Sequence, residues 1–156
     1  MHRLRLFTDG SANSQYGAGA WAACVISAGG KRMLSGTAWS VTHHAMELQA
    51  VIEGLLYIQT HEKNVCQVEV YSDSQYVVDL PDRRARLEAA GYLTQKGKPV
   101  QNRDRIRKLF ELMDRLPVVF TRVASHSKAG RSEITDYNRE VDKLSRELLR
   151  GMIRGG

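Results

Sequence analysis

The sequence predicts an α/β fold in which a mixed five-stranded sheet is flanked by helices. Three strand-like segments open the chain before any helical pattern appears. Helical and strand-like segments then alternate, which favours crossover connections and parallel pairing of the later strands. Residues 28–32 contain two glycines and separate the second and third strand-like segments, as in an antiparallel hairpin. We therefore expect three antiparallel strands followed by parallel ones.

Alternating or continuous apolar residues mark the five predicted strands. Residues 3–9 and 65–73 alternate with a period of two, so each is expected to present one face to a core. Residues 20–27 and 33–40 are apolar runs that contain both tryptophans. Residues 118–124 form the last strand-like run and complete the sheet.

The first helix is predicted from apolar residues at helical spacing that begin at Met46, with Thr42 as its N-cap. Residues 74–80 are expected to form a short second helix that Pro81 ends, because proline lacks the backbone N–H that a helix interior uses. Residues 82–91 are expected to form a separate third helix. The proline thus predicts two short helices in place of one long helix.

Two further helices complete the pattern. Asn102 is the expected cap of a helix that carries its apolar residues on one face. Apolar residues from Tyr137 onward mark a C-terminal helix, which follows a polar loop at residues 125–135. The predicted order of elements is β-β-β-α-β-α-α-α-β-α.

Length and composition indicate one soluble domain over residues 1–156. Hydrophobic residues make up 42% of the chain, and no apolar run approaches the length of a membrane span. The N-terminus lacks the apolar stretch and cleavage site of a signal peptide, so we expect a cytoplasmic protein. Cys24 and Cys66 are isolated in the sequence, which favours two reduced core cysteines over a disulfide or a zinc cluster.

The chain carries a net charge of +6, which favours a polyanionic partner. Residues 81–100 contain five basic side chains against two acidic ones, and residues 101–116 contain five against three. From charge alone, the simpler interpretation is a solvated helix surface, and we prefer it to nucleic-acid binding. The basic excess by itself leaves both interpretations open.

Two acids stand at corresponding places of two predicted strands. Asp9 and Asp73 are each expected to end a strand, and each lies between a hydroxyl residue and small polar residues. An aspartate in such a place commonly makes a turn by bonding to its own backbone. If the two strands are parallel neighbours, however, the carboxylates emerge about 5 Å apart. Like charges at that spacing are costly unless a cation lies between them.

Two more acids lie near the starts of helices. Glu47 and Asp142 are each one position off the apolar stripe of a helix, so each is expected to point toward the sheet. Either acid alone is explained by the favourable field at a helix N-terminus. Four acids at the ends of core elements instead predict a cation site, and oxygen ligands favour Mg²⁺ or Mn²⁺ over zinc.

Five segments resemble the successive motifs of type 1 ribonuclease H, in the order of that family. They are the sequences FTDGS, AMELQAVIEGL, YSDSQYV, GKPVQN and NREVDKLS, and the resemblance spans residues 6–149. It implies the ribonuclease H fold and hydrolysis of the RNA strand of RNA–DNA hybrids by two Mg²⁺ ions, with Mn²⁺ as a substitute. It also implies 5′-phosphate and 3′-hydroxyl products, no membrane and no obligatory protein partner, and we expect a monomer.

The resemblance implies roles for individual side chains. The residues that correspond to the metal-binding acids of the family are Asp9, Glu47, Asp73 and Asp142, and His126 corresponds to its loop histidine. By the family pattern Asp9 bridges the two ions. Taken without the resemblance, His126 would be an exposed loop residue.

Contacts to the nucleic acid are implied in the same way. The residues in the positions of 2′-hydroxyl readers are Gly10, Gln15, His44 and Gln75, whereas Thr42 and His43 lie where the family holds a DNA phosphate. Residues 81–100 resemble a basic substrate-binding protrusion, and the contacts expected in and beside it are Arg84, Tyr92, Lys98 and Asn102. Each of these residues could instead be an ordinary cap or turn residue.

Two departures from the family pattern concern the nucleic-acid contacts. His43 and His44 stand where a pair of asparagines is common, and Tyr92 is the only aromatic residue of the protrusion. A non-catalytic nucleic-acid-binding protein with the same fold is one alternative, and a DNA resolvase or integrase-type nuclease is another. Retention of all four acids argues against the non-catalytic protein, whereas Gln75 and the residues around Glu47 argue against the resolvase or integrase.

Overall fold

The computed structural model describes residues 2–124 and 132–155. In these ranges the chain forms five strands and four helices. The strands are β1 (His2–Asn13), β2 (Ala18–Ser27), β3 (Gly30–Trp39), β4 (Val65–Ser72) and β5 (Val118–Arg122). The helices are α1 (His43–His61), α2 (Gln75–Ala89), α3 (Arg103–Arg115) and α4 (Glu133–Gly155).

The strands form one mixed sheet in the order β3-β2-β1-β4-β5. Strand β2 pairs antiparallel with both β1 and β3, whereas β4 pairs parallel with both β1 and β5. The hairpin between β2 and β3 is tighter than expected, because Ser27 already pairs with Gly30. The predicted fold class, with antiparallel strands followed by parallel ones, is confirmed.

The sheet is covered on both faces. Leu4 and Leu6 of β1 belong to a core that includes residues of α1 and α3, whereas Phe7 belongs to a second core that includes Val141 of α4. Successive side chains of a strand point to opposite faces, so α1 and α4 lie on opposite sides of β1. This arrangement brings α1 and α4 to the same central strand.

Helix α2 runs through Pro81, so the prediction that this proline ends a helix was wrong. A proline inside a helix costs roughly 3 kcal/mol, largely through one lost backbone hydrogen bond and a clash with the preceding turn. Val77, Leu80 and Leu87 are buried along α2. Burying an apolar side chain contributes roughly 1.5–3 kcal/mol, so three of them offset the cost of the proline. The observed order therefore has one helix fewer than predicted.

Two other local predictions were confirmed only in part. Asn102 is the N-cap of α3 as predicted, but its backbone is left-handed (φ 63°) and its side chain makes no capping bond with any described residue. An asparagine tolerates this conformation, which positions its backbone and not its side chain at the helix start. Cys24 is buried and Cys66 only half-buried, so one of the two free cysteines is not a core residue.

No helix in residues 2–124 and 132–155 has both the length and the hydropathy that crossing a membrane requires.

Candidate active site

Asp9 lies inside β1 and not at its end, which corrects the expectation from sequence. The parallel pairing of β1 with β4 stops at Phe7 and Tyr71, whereas the pairing of β1 with β2 continues to Asn13. Asp73 directly follows the end of β4. Continuing the parallel register therefore brings Asp9 beside Asp73, at the place where β1 has lost its neighbour on that side.

Gly10 allows helix α1 to approach this part of β1. A Cβ atom on Gly10 would lie 2.4 Å from the backbone N of Glu47 and 2.5 Å from the backbone C of Met46. No side chain fits at such distances, so the first turn of α1 packs directly on the strand backbone. Thr42 fixes the start of the helix, since its Oγ1 accepts a hydrogen bond from the Ala45 N at 3.1 Å, as predicted. These contacts bring Glu47 next to the residue that follows Asp9.

The two carboxylate oxygens of Glu47 have different surroundings. Glu47 is 5% exposed, and its Oε2 lies 3.2 Å from Nε2 of His43, one helical turn earlier. Its Oε1 is buried and has no hydrogen-bond partner among the residues that the structure describes. A buried carboxylate oxygen without a partner is costly, which makes it a natural place for a cation.

Helix α4 brings Asp142 and Ser145 to the other side of Asp9. The buried Ser145 Oγ lies 3.3 Å from Asp9 Oδ2 and 2.9 Å from Ser11 Oγ. Asp142 Oδ1 pairs with Arg146 Nε at 3.0 Å. Sequence reasoning did not single out Ser145, although a serine one turn after Val141, on the apolar stripe of an amphipathic helix, was a usable signal.

The acids of this region influence one another. Burial, the charge of Asp73 and a hydrogen bond with Asp142 together raise the pKa of Asp9 to about 9, and burial is the largest of these causes. The pKa of Asp73 is also raised, first by burial and then by the charges of Glu47 and Asp142. We call these four acids, Asp9, Glu47, Asp73 and Asp142, the acid cluster. A cation among them would favour their charged forms and so reverse these shifts.

The acid cluster has the donor chemistry of a site for a hard divalent cation. Four carboxylates supply only oxygen ligands, which Mg²⁺ and Mn²⁺ prefer, and one buried oxygen of Glu47 is still unpartnered in the described chain. Over residues 2–124 and 132–155, no three acidic, histidine or cysteine side chains already stand in the geometry of a metal site. Two of the acids are instead held by ion-pair partners, Glu47 by His43 and Asp142 by Arg146.

Several residues expected to contact nucleic acid lie at the starts of α1 and α2. Thr42 and His43 are at the start of α1, and His44 stacks on Tyr76 of α2 with ring centroids 4.0 Å apart. Gln75 is the exposed first residue of α2, and its Nε2 donates to Asp79 Oδ1 at 2.6 Å. The first of these helices, α1, carries Glu47 near its start, and the start of α2 closely follows Asp73 in the chain. Gln15 is exposed in the turn between β1 and β2.

The residues expected in and beside the protrusion have different surroundings. Arg84 makes two hydrogen bonds to the carboxylate of Asp114, at 2.7 and 2.8 Å, and also binds Glu88. Its guanidinium lies 5.0 Å from the centre of the Phe110 ring. Tyr92 is half-buried near the same ring, and Lys98 is exposed. Arg84 therefore joins α2 to α3, and a phosphate contact would require it to leave Asp114.

His126, the expected loop histidine, lies outside the described residues, as does most of the predicted polar loop.

Comparison with known proteins decides the family. A family model for RNase H matches residues 1–150. The chain belongs to the RNase H family. It is 37% identical over 150 residues to the ribonuclease H of Nitratidesulfovibrio vulgaris, and the match covers 95% of this chain and 94% of that protein. The chain is thus a ribonuclease H enzyme, a nuclease of the hydrolase class.

Solved structures confirm the RNase H fold. LC9-RNase H1, a type 1 RNase H with the type 2 active-site motif, has a TM-score of 0.78 and 21% sequence identity. The match covers 97% of this chain and 74% of LC9-RNase H1. The foamy viral protease-reverse transcriptase in complex with an RNA/DNA hybrid has a TM-score of 0.66 and 13% identity, over 94% of this chain and 19% of that one.

Proposed function

We propose that this RNase H hydrolyses the RNA strand of RNA–DNA hybrids with the help of two divalent metal ions. The products would be a 5′-phosphate and a 3′-hydroxyl. The observation that carries the proposal is the acid cluster, in which carboxylates come from β1, α1, the end of β4 and α4, and in which burial and the neighbouring charges raise the pKa of Asp9 and of Asp73. Support for the substrate comes from the related viral enzyme, which was solved with a bound RNA/DNA hybrid.

The residues that would hold the ions are Asp9, Glu47, Asp73 and Asp142. Members of this family generally use divalent metal ions. Mg²⁺ is the proposed ion and Mn²⁺ its substitute, because the cluster offers only carboxylate oxygens. Bound ions of this kind supply an activated water and stabilise the leaving oxygen.

The surrounding residues orient the acids. Gly10 lets α1 bring Glu47 against β1, and the Ser145 hydroxyl lies within 3.3 Å of Asp9 Oδ2. These contacts restrict the carboxylates before a ligand arrives, so less ordering remains to be done when one binds. His126 is proposed from sequence to move a proton near the attacking water.

The proposed nucleic-acid contacts are centred on the starts of α1 and α2. Thr42, His43, His44 and Gln75 lie there, and the N-terminal ends of helices attract phosphate groups. The net charge of +6 adds a favourable, salt-dependent term for any nucleic acid. Discrimination of RNA from DNA would come from polar side chains that reach 2′-hydroxyl groups.

A nuclease assay with matched substrates tests the function. The same sequence is prepared as RNA–DNA hybrid, duplex DNA and duplex RNA, and each is incubated with and without Mg²⁺. We expect cleavage of the RNA strand of the hybrid alone, and only with Mg²⁺. Cleavage of duplex DNA would favour a resolvase or integrase-type nuclease, and binding of the hybrid without cleavage would favour a non-catalytic protein. End-group analysis of the fragments checks the proposed products.

Two further expectations remain predictions. Size-exclusion chromatography with light scattering tests the monomer, and fractionation of the source cells tests the cytoplasmic location.

A further inference from the structure

We propose that His43 is a positioning residue for Glu47: it engages Oε2 of the carboxylate and so leaves the buried Oε1 directed to a cation. This inference rests on the proposed metal-dependent function. The two side chains are four residues apart on α1, and His43 Nε2 lies 3.2 Å from Glu47 Oε2. Among the residues described, Glu47 Oε1 has no hydrogen-bond partner.

Both ends of this pair are fixed by their backbone. Residues four apart on a helix lie one above the other on the same face. Thr42 caps the first turn of α1, which contains His43, and the backbone of Glu47 is packed directly on Gly10. The backbone positions of His43 and Glu47 are therefore fixed, and the contact between the imidazole and Oε2 selects one orientation of the Glu47 carboxylate.

Loss of His43 would leave the orientation of Glu47 undetermined. The side chain of Glu47 is 6% exposed, so water reaches little of it, and in the described chain Oε1 has no other partner to hold it. Residues that orient metal ligands commonly affect metal affinity by about 10- to 100-fold. We therefore expect His43 to act on the affinity for the ion and not on the fold.

Because His43 lies at the surface, an effect on metal affinity can be measured apart from an effect on the fold. Its side chain is 57% exposed, so a substitution opens no cavity in the core. A matched control lies at the other end of the same helix, where His61 stacks on Tyr57 at 4.2 Å and contacts the Tyr57 carbonyl. His61 is a helix histidine that contacts none of the four acids of the cluster in the described structure.

The test is calorimetric titration of Mn²⁺ into the protein without nucleic acid. Four proteins are compared: wild type, His43→Ala, His43→Gln and His61→Ala. We expect the Kd of His43→Ala to rise about 10-fold. The glutamine amide can donate to Oε2 in place of the imidazole, so His43→Gln should recover most of the affinity. His61→Ala should bind as wild type does, and thermal unfolding without metal checks that each variant is folded at the temperature of the titration.

The outcomes separate this inference from the proposed function. If wild type binds Mn²⁺ and His43→Ala binds it equally well or more tightly, the positioning role is wrong and the metal centre stands. If His43→Gln is as weak as His43→Ala, the loss does not come from the missing donor, and the inference is also wrong. A wild-type protein that binds no Mn²⁺ would overturn both the metal centre and the inference. Should His43→Ala unfold, His43→Phe supplies a ring without a donor and is expected to bind as weakly.

Discussion

Carboxylates lie in opposite electrostatic surroundings in the acid cluster and around Arg84: they face one another in the first region and a guanidinium in the second. In the acid cluster, carboxylates gather where Asp9 is only 6% exposed, and burial and mutual repulsion raise the pKa of Asp9 and of Asp73. Around Arg84, opposite charges meet at the surface, where Asp114 is 59% exposed and its pKa is lowered by the hydrogen bonds from Arg84. The first arrangement is costly without a cation, whereas the second is already satisfied.

This difference distinguishes the acid cluster, which a cation would stabilise, from the contacts of Arg84, which hold α2 and α3 together. The sequence predicted a cation site from the four acids and a nucleic-acid contact for Arg84, but it did not reveal the partner of either kind of charge. The structure assigns Arg84 two acidic partners and leaves one buried oxygen of Glu47 unpartnered in the part it describes.

Asp73→Asn should abolish cleavage and leave the fold and hybrid binding intact. The amide keeps the shape of the side chain and removes the charge that would hold a metal ion, so we expect kcat/KM to fall about 10³-fold or more. Steady-state kinetics, fluorescence anisotropy with labelled hybrid and circular dichroism measure the three properties. Asp104→Asn, at a side chain that is 90% exposed, is the matched control. Cleavage by Asp73→Asn within tenfold of wild type would contradict the four-acid site.

Gly10→Ala should displace Glu47 from the acid cluster. The added Cβ would meet the backbone of α1 at 2.4 Å, so the helix has to shift. We expect the free energy of unfolding to fall by about 1–3 kcal/mol and kcat by about 10²-fold, since small misplacements of catalytic groups are costly. Urea denaturation measures the free energy of unfolding, and steady-state kinetics measures kcat. Gly151→Ala is the control, because in the described chain its Cβ would meet open space. Activity of Gly10→Ala equal to that of the control would show that the close approach is unnecessary.

His126→Ala should slow turnover without stopping it. A side chain that assists proton movement contributes at most about 10²- to 10⁴-fold, and we expect kcat to fall about 10- to 10²-fold at neutral pH. Hybrid affinity should change little, and the loss should be smaller than for Asp9→Asn. Steady-state kinetics of the two variants beside wild type decide it. An unaltered kcat would make His126 an ordinary loop residue.

Arg84→Ala should affect stability and leave catalysis unchanged. The substitution removes the bonds to Asp114 and the contact with Phe110, so α2 and α3 lose a connection. We expect the midpoint of thermal unfolding to fall by about 3 °C, as measured by calorimetry. A loss of hybrid affinity at unchanged stability would instead support the sequence-based expectation that Arg84 contacts phosphate.

Lys98→Ala should weaken hybrid binding in a salt-dependent way. Lys98 is exposed, and each phosphate contact that is lost lowers the slope of log K against log salt by about 1. Anisotropy titrations at several salt concentrations measure the slope, with Arg84→Ala beside it. Equal slopes for wild type and Lys98→Ala would mean that this part of residues 81–100 does not touch phosphate.

Several features of the molecule were predictable from sequence because they depend on neighbours along the chain. Periodicity identified the strands, and Thr42 was recognised as the cap of α1 from local chemistry alone. A crossover connection predicted parallel pairing for the later strands, and the structure shows that β4 pairs with β1. The four acids were listed from the same local patterns, although Asp9 lies inside β1 and Asp142 lies in the middle of α4 and not near its start.

Tertiary packing decided the features that depend on residues far apart in the chain. Helix α2 continues through Pro81 because burial of Val77, Leu80 and Leu87 outweighs a local penalty. Arg84 binds Asp114, thirty positions away, and Ser145 of α4 reaches Asp9 of β1. A local pattern reports the propensity of a segment, whereas the partner of a charge and the burial of an oxygen depend on which elements the fold brings together.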